Sequence, residues 1–232
     1  MKHQEGSFIP NYLPDVYSRE FRPSQYTAML LQEVEAHGPL VKQSHVLDVG
    51  VGSGVLLAAA ARLGASALSG VDISRDALET TQRLLNVCAA DIPCTLHLGD
   101  MWHPVPDGMT YSMILANLPH FPGAFHDRER PSTWAGGDGR GIINRFIMGL
   151  PRYLAKGGVA LMTHHDLIDF EHTKRLLQEL GLSYEIACQW TVFEPPERMM
   201  AISRQTYEAG GESVRCYGGY AFMNARILKI YE

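Results

Sequence analysis

His45-Val-Leu-Asp-Val-Gly-Val-Gly-Ser-Gly54 changes character halfway along: an apolar run closes on an acid and gives way to alternating glycines. The first half predicts a short buried strand over 45–49. Gly50, Gly52 and Gly54 then bring bare backbone to the start of the next helix. A Cβ there would block a ligand's approach or forbid positive φ angles. Val55 to Leu63 is rich in Ala and Leu, predicts a helix, and is closed by Gly64. The spacing is GxGxG and not GxGxxG, and an acid, Asp48, stands two residues before the first glycine. A pyrophosphate loop uses the wider spacing; the tighter one suits a zwitterionic amino acid joined to a ribose.

Outward from this unit, strands and helices alternate. Ala67–Val71 predicts a strand ending at Asp72, and Ser74 caps a helix through about Cys88. Further strands are expected at Cys94–Leu98, Tyr111–Ala116 and Val159–Thr163, with helices at Gly141–Leu154 and Asp169–Leu180 closed by Gly181. Upstream, residues 1–22 read as irregular. Ser24 caps a helix from Gln25 to His37 that Gly38-Pro39 should stop. Alternation of this kind implies right-handed crossovers and a parallel sheet covered on both faces. After Gly181, Leu182–Val192 and Tyr220–Ile230 are two strands with no long helix between them, which predicts an antiparallel hairpin at the sheet edge. The fold class expected is α/β, a mostly parallel sheet with helices on both faces. It should form one domain over 1–232: an N-terminal segment and helix (1–40), a ligand-binding core (41–192) and an edge-strand tail (193–232) that could cover the pocket.

Bulk properties narrow the function. The 232 residues, 46% hydrophobic, suffice for one domain with a full core. A formal net charge of −5 argues against a protein that grips a nucleic-acid backbone. Cys88, Cys94, Cys188 and Cys216 form no CxxC pair, and Cys88 and Cys188, lying in apolar segments, read as core thiols. There is no apolar signal core and no membrane-length run, so a soluble cytoplasmic protein is expected.

Asp72 closes its strand roughly twenty residues after the glycine loop, where a carboxylate can accept hydrogen bonds from two ribose hydroxyls; Ile73 follows it. Asp100, just after the third strand, can bond an adenine amino group, and Met101 can pack on the ring. All these acids fall at strand carboxyl ends, which line one crevice in such a sheet. The fourth strand runs into Asn117-Leu118-Pro119-His120. Methyl transfer from a sulfonium is an in-line displacement that needs a lone pair on the acceptor. In an amide or aromatic amine that pair is delocalised. Hydrogen bonds from its N–H groups to the Asn117 side-chain oxygen and the Leu118 carbonyl would favour the more nucleophilic, pyramidal nitrogen, without a strong base. His120 has two readings: stacking on a planar acceptor, or accepting the proton lost after transfer. His126 and His164-His165-Asp166 read as crevice-edge or solvated groups, and the latter lack common metal-ligand spacing.

Together, Asp48–Gly54, Val71-Asp-Ile-Ser74, Gly99-Asp100 and Asn-x-Pro-x resemble the HemK-type methyltransferases, which include N5-glutamine and N6-adenine enzymes. Phe21-Arg-Pro-Ser-Gln-Tyr-Thr27 and Trp134-Ala-Gly-Gly-Asp-Gly-Arg-Gly-Ile-Ile-Asn-Arg-Phe146 resemble two further segments of that family. The resemblance covers about residues 16–190. It implies a seven-stranded sheet with a reversed last strand and S-adenosyl-L-methionine as cofactor. The implied cofactor contacts come from Thr27, Asp48, Gly50, Gly52, Gly54, Asp72, Ile73, Asp100, Met101 and Asn117, with Asn117 also at the acceptor and no metal. The family's loop is Asn-Pro-Pro-Tyr/Phe, whereas this chain has Leu118 and His120, so the aromatic that stacks on the acceptor is replaced. The helical docking domain of the bacterial release-factor enzymes is absent; short members that lack it depend on a small zinc-binding partner. The expectation is therefore N-methylation of a planar nitrogen in a small molecule or peptide-like amide. Protein-glutamine N5-methylation comes next, then nucleic-acid N6-adenine methylation, a non-catalytic cofactor-binding subunit, and an NAD oxidoreductase last. The partners left open are a second copy of the chain or a small activator subunit.

Overall fold

The computed structural model describes residues 16–18, 21–122, 137–200, 202, 208 and 213–232. The expectations for most of residues 1–22, for His126, for Trp134–Gly136 and for Gly210-Gly211 lie outside the described residues. Chain order runs α1 (Gln25–Ala36), α2 (Gly38–Val41), β1 (His45–Val49), α3 (Val55–Arg62), β2 (Ala67–Asp72), α4 (Arg75–Cys88), β3 (Cys94–Leu98) and β4 (Tyr111–Ala116). It continues through α5 (Arg140–Tyr153), β5 (Leu154–His165), α6 (Phe170–Glu179), β6 (Ser183–Glu194), α7 (Pro196–Met200), β7 (Arg215–Tyr217) and β8 (Tyr220–Tyr231).

The sheet order is β3-β2-β1-β4-β5-β8-β6, with β7 paired to β8 off that path. Strands β1 to β5 pair parallel with one another, while β8 is antiparallel to both β5 and β6. Chain order reverses at the β1/β4 junction, the position that opens a crevice beyond the strand carboxyl ends. Alternation along β1 divides its side chains between two cores: Val46 packs with Leu30, Leu57 and Met113 on one face, Leu47 with Ile114, Phe146 and Ile147 on the other. Each such fully buried side chain is worth about 1.5–3 kcal/mol of transfer free energy.

Four expectations shift. Strands β6 and β8 form the antiparallel pair expected at the sheet edge, but the C-terminal strand is not the edge itself: β8 lies inside the sheet and β6 forms the edge. The side chains decide this, because Ile227, Leu228 and Ile230 are fully buried whereas much of β6 is exposed. β5 begins at Leu154, directly after α5, because Leu154 pairs with Tyr111 across an irregularity in the ladder before regular pairing resumes at Met113/Val159. Gly38-Pro39 ends α1 and at once starts α2, where Pro39 sits in the first turn and needs no N–H partner. Cys88 is exposed and Cys188 half-buried, so neither is a core thiol, and all four cysteines are free.

Candidate active site

The glycine loop is a tightly bonded turn. Gly50 N–H and Val51 N–H both donate to the Val71 carbonyl, at 2.8 and 3.0 Å, and Gly54 N–H donates to Val51 O at 2.9 Å. Gly50, Gly52 and Gly54 have φ of 76°, 51° and 77°. Gly54 is needed twice over, since a Cβ there would also lie 2.8 Å from Thr81 Cγ2 on α4. Asp72 braces the loop: its carboxylate accepts from Gly52 N–H at 3.0 Å and from Ser74 N–H at 2.9 Å. Ile73 beside it is exposed.

Asp48 stands differently. Its side chain is 1% exposed, and Oδ1 has no hydrogen-bond partner among the described residues. Burial, reinforced by the nearby Asp72 charge, holds its pKa well above the usual carboxylate range. It lines a cavity of about 620 Å³ together with Phe21–Thr27, Gly50–Ser53, Asn117–Phe121, His165, Pro195 and Arg198. Asp100 and Met101 border a second, shallower hollow of about 290 Å³ with Trp102 and Arg145. There the Asp100 carboxylate pairs with Arg145 at 2.7 Å, and Met101 takes a left-handed φ of 55°. The expected single crevice is thus divided. Asp48, Gly50, Gly52, Thr27 and the Asn-Leu-Pro-His loop share the larger hollow; Asp100 and Met101 share the smaller; Asp72 and Ile73 line neither.

Asn117, at the end of β4, is clamped on both sides. Its Nδ2 donates to Thr27 Oγ1 at 2.9 Å, and its Oδ1 accepts from Thr163 Oγ1 at 3.2 Å. Thr27 also completes the capping box of α1, where Ser24 N–H donates to the same Oγ1 at 3.1 Å. The helix start and the acceptor loop are therefore one unit. Gly50 touches that unit too, since a Cβ on it would come 3.0 Å from Leu118 Cδ2.

Three of the described histidines are shut away from solvent. His120, His164 and His165 are 6%, 0% and 1% exposed. Burial pushes His120 down to about 4 and takes His164 and His165 well below the ordinary range. His120 Nδ1 donates to the Leu118 carbonyl in a short hydrogen bond, and its ring lies 4.4 Å from that of His165. His164 turns the other way, meeting Thr173 Oγ1 at 3.1 Å and Phe170. Gly139 packs on the loop from outside, where a Cβ would lie 2.6 Å from His120 O.

Sequence reasoning missed Tyr26, Glu194 and Arg198. Glu194, fully buried, accepts a short hydrogen bond from Tyr26 Oη and one from Arg198 at 3.1 Å, and burial raises its pKa. Tyr26 in turn meets His120 edge-on at 5.8 Å, and Phe121 lies 5.2 Å from His165. The aromatic surroundings that the loop itself no longer supplies come from these two neighbours. Pro195 and Arg198, from the tail, also line the cavity.

Solved structures that share this architecture include two named as methylating enzymes. A ribosomal protein L11 methylase of Lactobacillus delbrueckii aligns with TM-score 0.55 and 18% identity, covering 91% of this chain and 81% of its own. A precorrin-6y C5,15-methyltransferase of Geobacter metallireducens aligns with TM-score 0.56 and 15% identity, covering 93% of each. The fold is that of a class I methyltransferase. The ribosomal protein L11 methyltransferase (PrmA) profile matches residues 25–118. A candidate protein N5-glutamine methyltransferase of Methanocaldococcus jannaschii is 31% identical over 196 residues, 82% of this chain and 91% of that one. The release factor glutamine methyltransferase of Prochlorococcus marinus is 31% identical over 165 residues, 65% of this chain but only 56% of that longer protein. The chain belongs to the HemK-type family of class I S-adenosylmethionine-dependent methyltransferases. It is an enzyme of that class, and among the described residues no helix is long and apolar enough to cross a membrane.

Proposed function

We propose that the chain methylates the side-chain amide nitrogen of glutamine in a protein or peptide, working as one unit over 1–232. The observation that carries this reading is Asn117, fixed between Thr27 and Thr163 in the same cavity as Asp48. The relatives named for glutamine N5-methylation favour a peptide amide over the small-molecule acceptor expected first. A small molecule keeps one point in its favour, because Pro195 and Arg198 of the tail join the residues that line the cavity.

S-adenosylmethionine, when bound, supplies an electrophilic methyl on a sulfonium. The residues present fit it. A cavity of about 620 Å³ is of ligand size. The buried, unpartnered Asp48 oxygen suits a cationic ammonium group. Gly50 and Gly52 allow close backbone approach; the ribose contacts expected of Asp72 and Ile73 would lie outside this cavity, and the adenine contacts expected of Asp100 and Met101 would lie in the smaller hollow. Asp100 must then share its carboxylate with Arg145. Leu118 and Pro119 stiffen the acceptor loop. His120, neutral because burial lowers its pKa to about 4, is able to receive the proton that the nitrogen gives up.

The test is transfer of labelled methyl from S-adenosylmethionine to an array of glutamine-containing peptides, followed by fragmentation mass spectrometry. One added methyl on glutamine is expected. Methyl found only on a metabolite refutes the peptide reading. Methyl on adenine of an oligonucleotide, bound in a steeply salt-sensitive way, would favour the nucleic-acid alternative.

A further inference from the structure

Two histidines meet at the acceptor end of the cavity, and hydrogen bonds fix the proton of each. His120 Nδ1 faces the Leu118 carbonyl, which can only accept, so Nδ1 carries the proton and Nε2 keeps its lone pair. His165 is the reverse case. The Leu167 backbone N–H donates to its Nδ1 at 3.3 Å, so that nitrogen is bare and Nε2 carries the proton. Burial keeps both rings neutral, and Arg198 adds to the effect. Both line the cavity, with ring centroids 4.4 Å apart and planes inclined at 36°. His165 Nε2 is fully buried without a partner among the described residues, a costly state for a donor unless a ligand completes it.

The pair therefore offers one acceptor and one donor side by side. A primary carboxamide carries the complementary set, an N–H and a carbonyl oxygen on the same carbon. A carboxylate has no N–H for His120, and neither does an ester or a dialkyl amide. We propose that His120 and His165 read the acceptor as a primary carboxamide, with His120 Nε2 taking an amide N–H and His165 Nε2–H donating to the amide carbonyl. The two oxygens expected to hold the amide nitrogen each accept one bond within the chain, Asn117 Oδ1 from Thr163 and the Leu118 carbonyl from His120, and each keeps one further lone pair for the substrate. His120 thus adds its own acceptor beside the Leu118 carbonyl that it braces. The amide is preferred to the adenine edge, which also pairs a donor with an acceptor, because the chain carries a net charge of −5.

This inference deepens the glutamine reading and rests on it for the choice of amide over base. The test uses the full chain labelled with nitrogen-15 histidine and saturated with S-adenosylhomocysteine. Long-range proton–nitrogen spectra at neutral pH should show both rings neutral and of opposite tautomer. N-acetylglutamine methylamide should move both Nε2 resonances, and N-acetylglutamate methylamide neither. His165→Phe should weaken binding of the glutamine probe on the order of 10- to 100-fold, the range for one buried hydrogen bond left unmade. Its affinity for S-adenosylhomocysteine should not change. If the variant does not fold, the wild-type spectra decide. Like tautomers, an equal response to the glutamate probe, or movement only with deoxyadenosine would overturn the proposal. A chain that binds the carboxamide through both rings yet methylates no peptide keeps this inference and loses the protein-substrate reading. One that methylates glutamine with both Nε2 resonances unmoved does the opposite.

Discussion

Asp48→Asn separates a ligand-binding carboxylate from a structural one. In the folded chain Asp48 is 1% exposed, its Oδ1 has no partner among the described residues, and burial with Asp72 nearby raises its pKa. A raised carboxylate pKa means the folded apo protein holds a proton that the unfolded chain has already released. Apo stability therefore falls as pH rises from the ordinary carboxylate value through the raised one. An ammonium placed against Asp48 reverses the preference, so binding of S-adenosylhomocysteine should tighten with pH over that window and release a proton. The charge-assisted bond is worth about 1.5–3 kcal/mol, which corresponds to roughly 10- to 150-fold in Kd. Titration calorimetry above the window should show that loss in Asp48→Asn. Runs in buffers of different ionisation enthalpy should show the proton release abolished. Thermal unfolding of the apo variant should occur at the wild-type temperature or higher, because a buried unpaired acid has been neutralised. Unchanged affinity, or an apo variant clearly less stable than wild type, would refute the assignment and make Asp48 a structural group.

Three further outcomes follow from the loop geometry. Thr163→Val keeps shape but removes the hydroxyl at 3.2 Å from Asn117 Oδ1. Losing a bond worth about 0.5–1.5 kcal/mol should lower turnover roughly 3- to 10-fold in steady-state methylation assays, with S-adenosylhomocysteine affinity intact. Gly139→Ala puts a Cβ 2.6 Å from His120 O at φ 77°. It should cost about 1–3 kcal/mol in urea unfolding and reduce methyl transfer more than cofactor binding, because the strain falls on the acceptor loop. His120 has its pKa lowered from 6.5 to about 4, so it is proton-poor when folded relative to the unfolded chain. Stability should therefore drop as pH falls through that interval, by about 3 kcal/mol for this group alone. His120→Phe should flatten the acid limb of a urea-midpoint profile, and an unaltered limb would show that the ring is not held neutral.

The strand, glycine loop and helix of residues 45–63 were legible because each signal is local: apolar run, Asp48, alternating glycines, Ala-rich helix. Asn117 was legible for the same reason, as a polar amide followed by a proline at a strand end. What escaped was whatever depends on distant partners or on burial. His164 and His165 close an apolar strand and looked like residues leaving it, yet β8 pairs along β5 as far as Ala225 opposite His165 and shuts them in. Tyr26 and Glu194 are separated by 168 positions, and no spacing rule links them.

Both misses trace to the same placement, because β8 inside the sheet carries β6 to the edge beyond it. The end of β6 then reaches α1, where Gln25 Nε2 donates to Phe193 O at 3.0 Å and Tyr26 meets Glu194. The tail from 193 onward accordingly does more than cover a pocket made elsewhere. It supplies the strand that buries His165, the carboxylate that fixes Tyr26 against His120, and the arginine whose charge adds to burial in keeping both imidazoles neutral. An acceptor loop altered at two positions from the family pattern is thus matched by surroundings built from the far end of the chain.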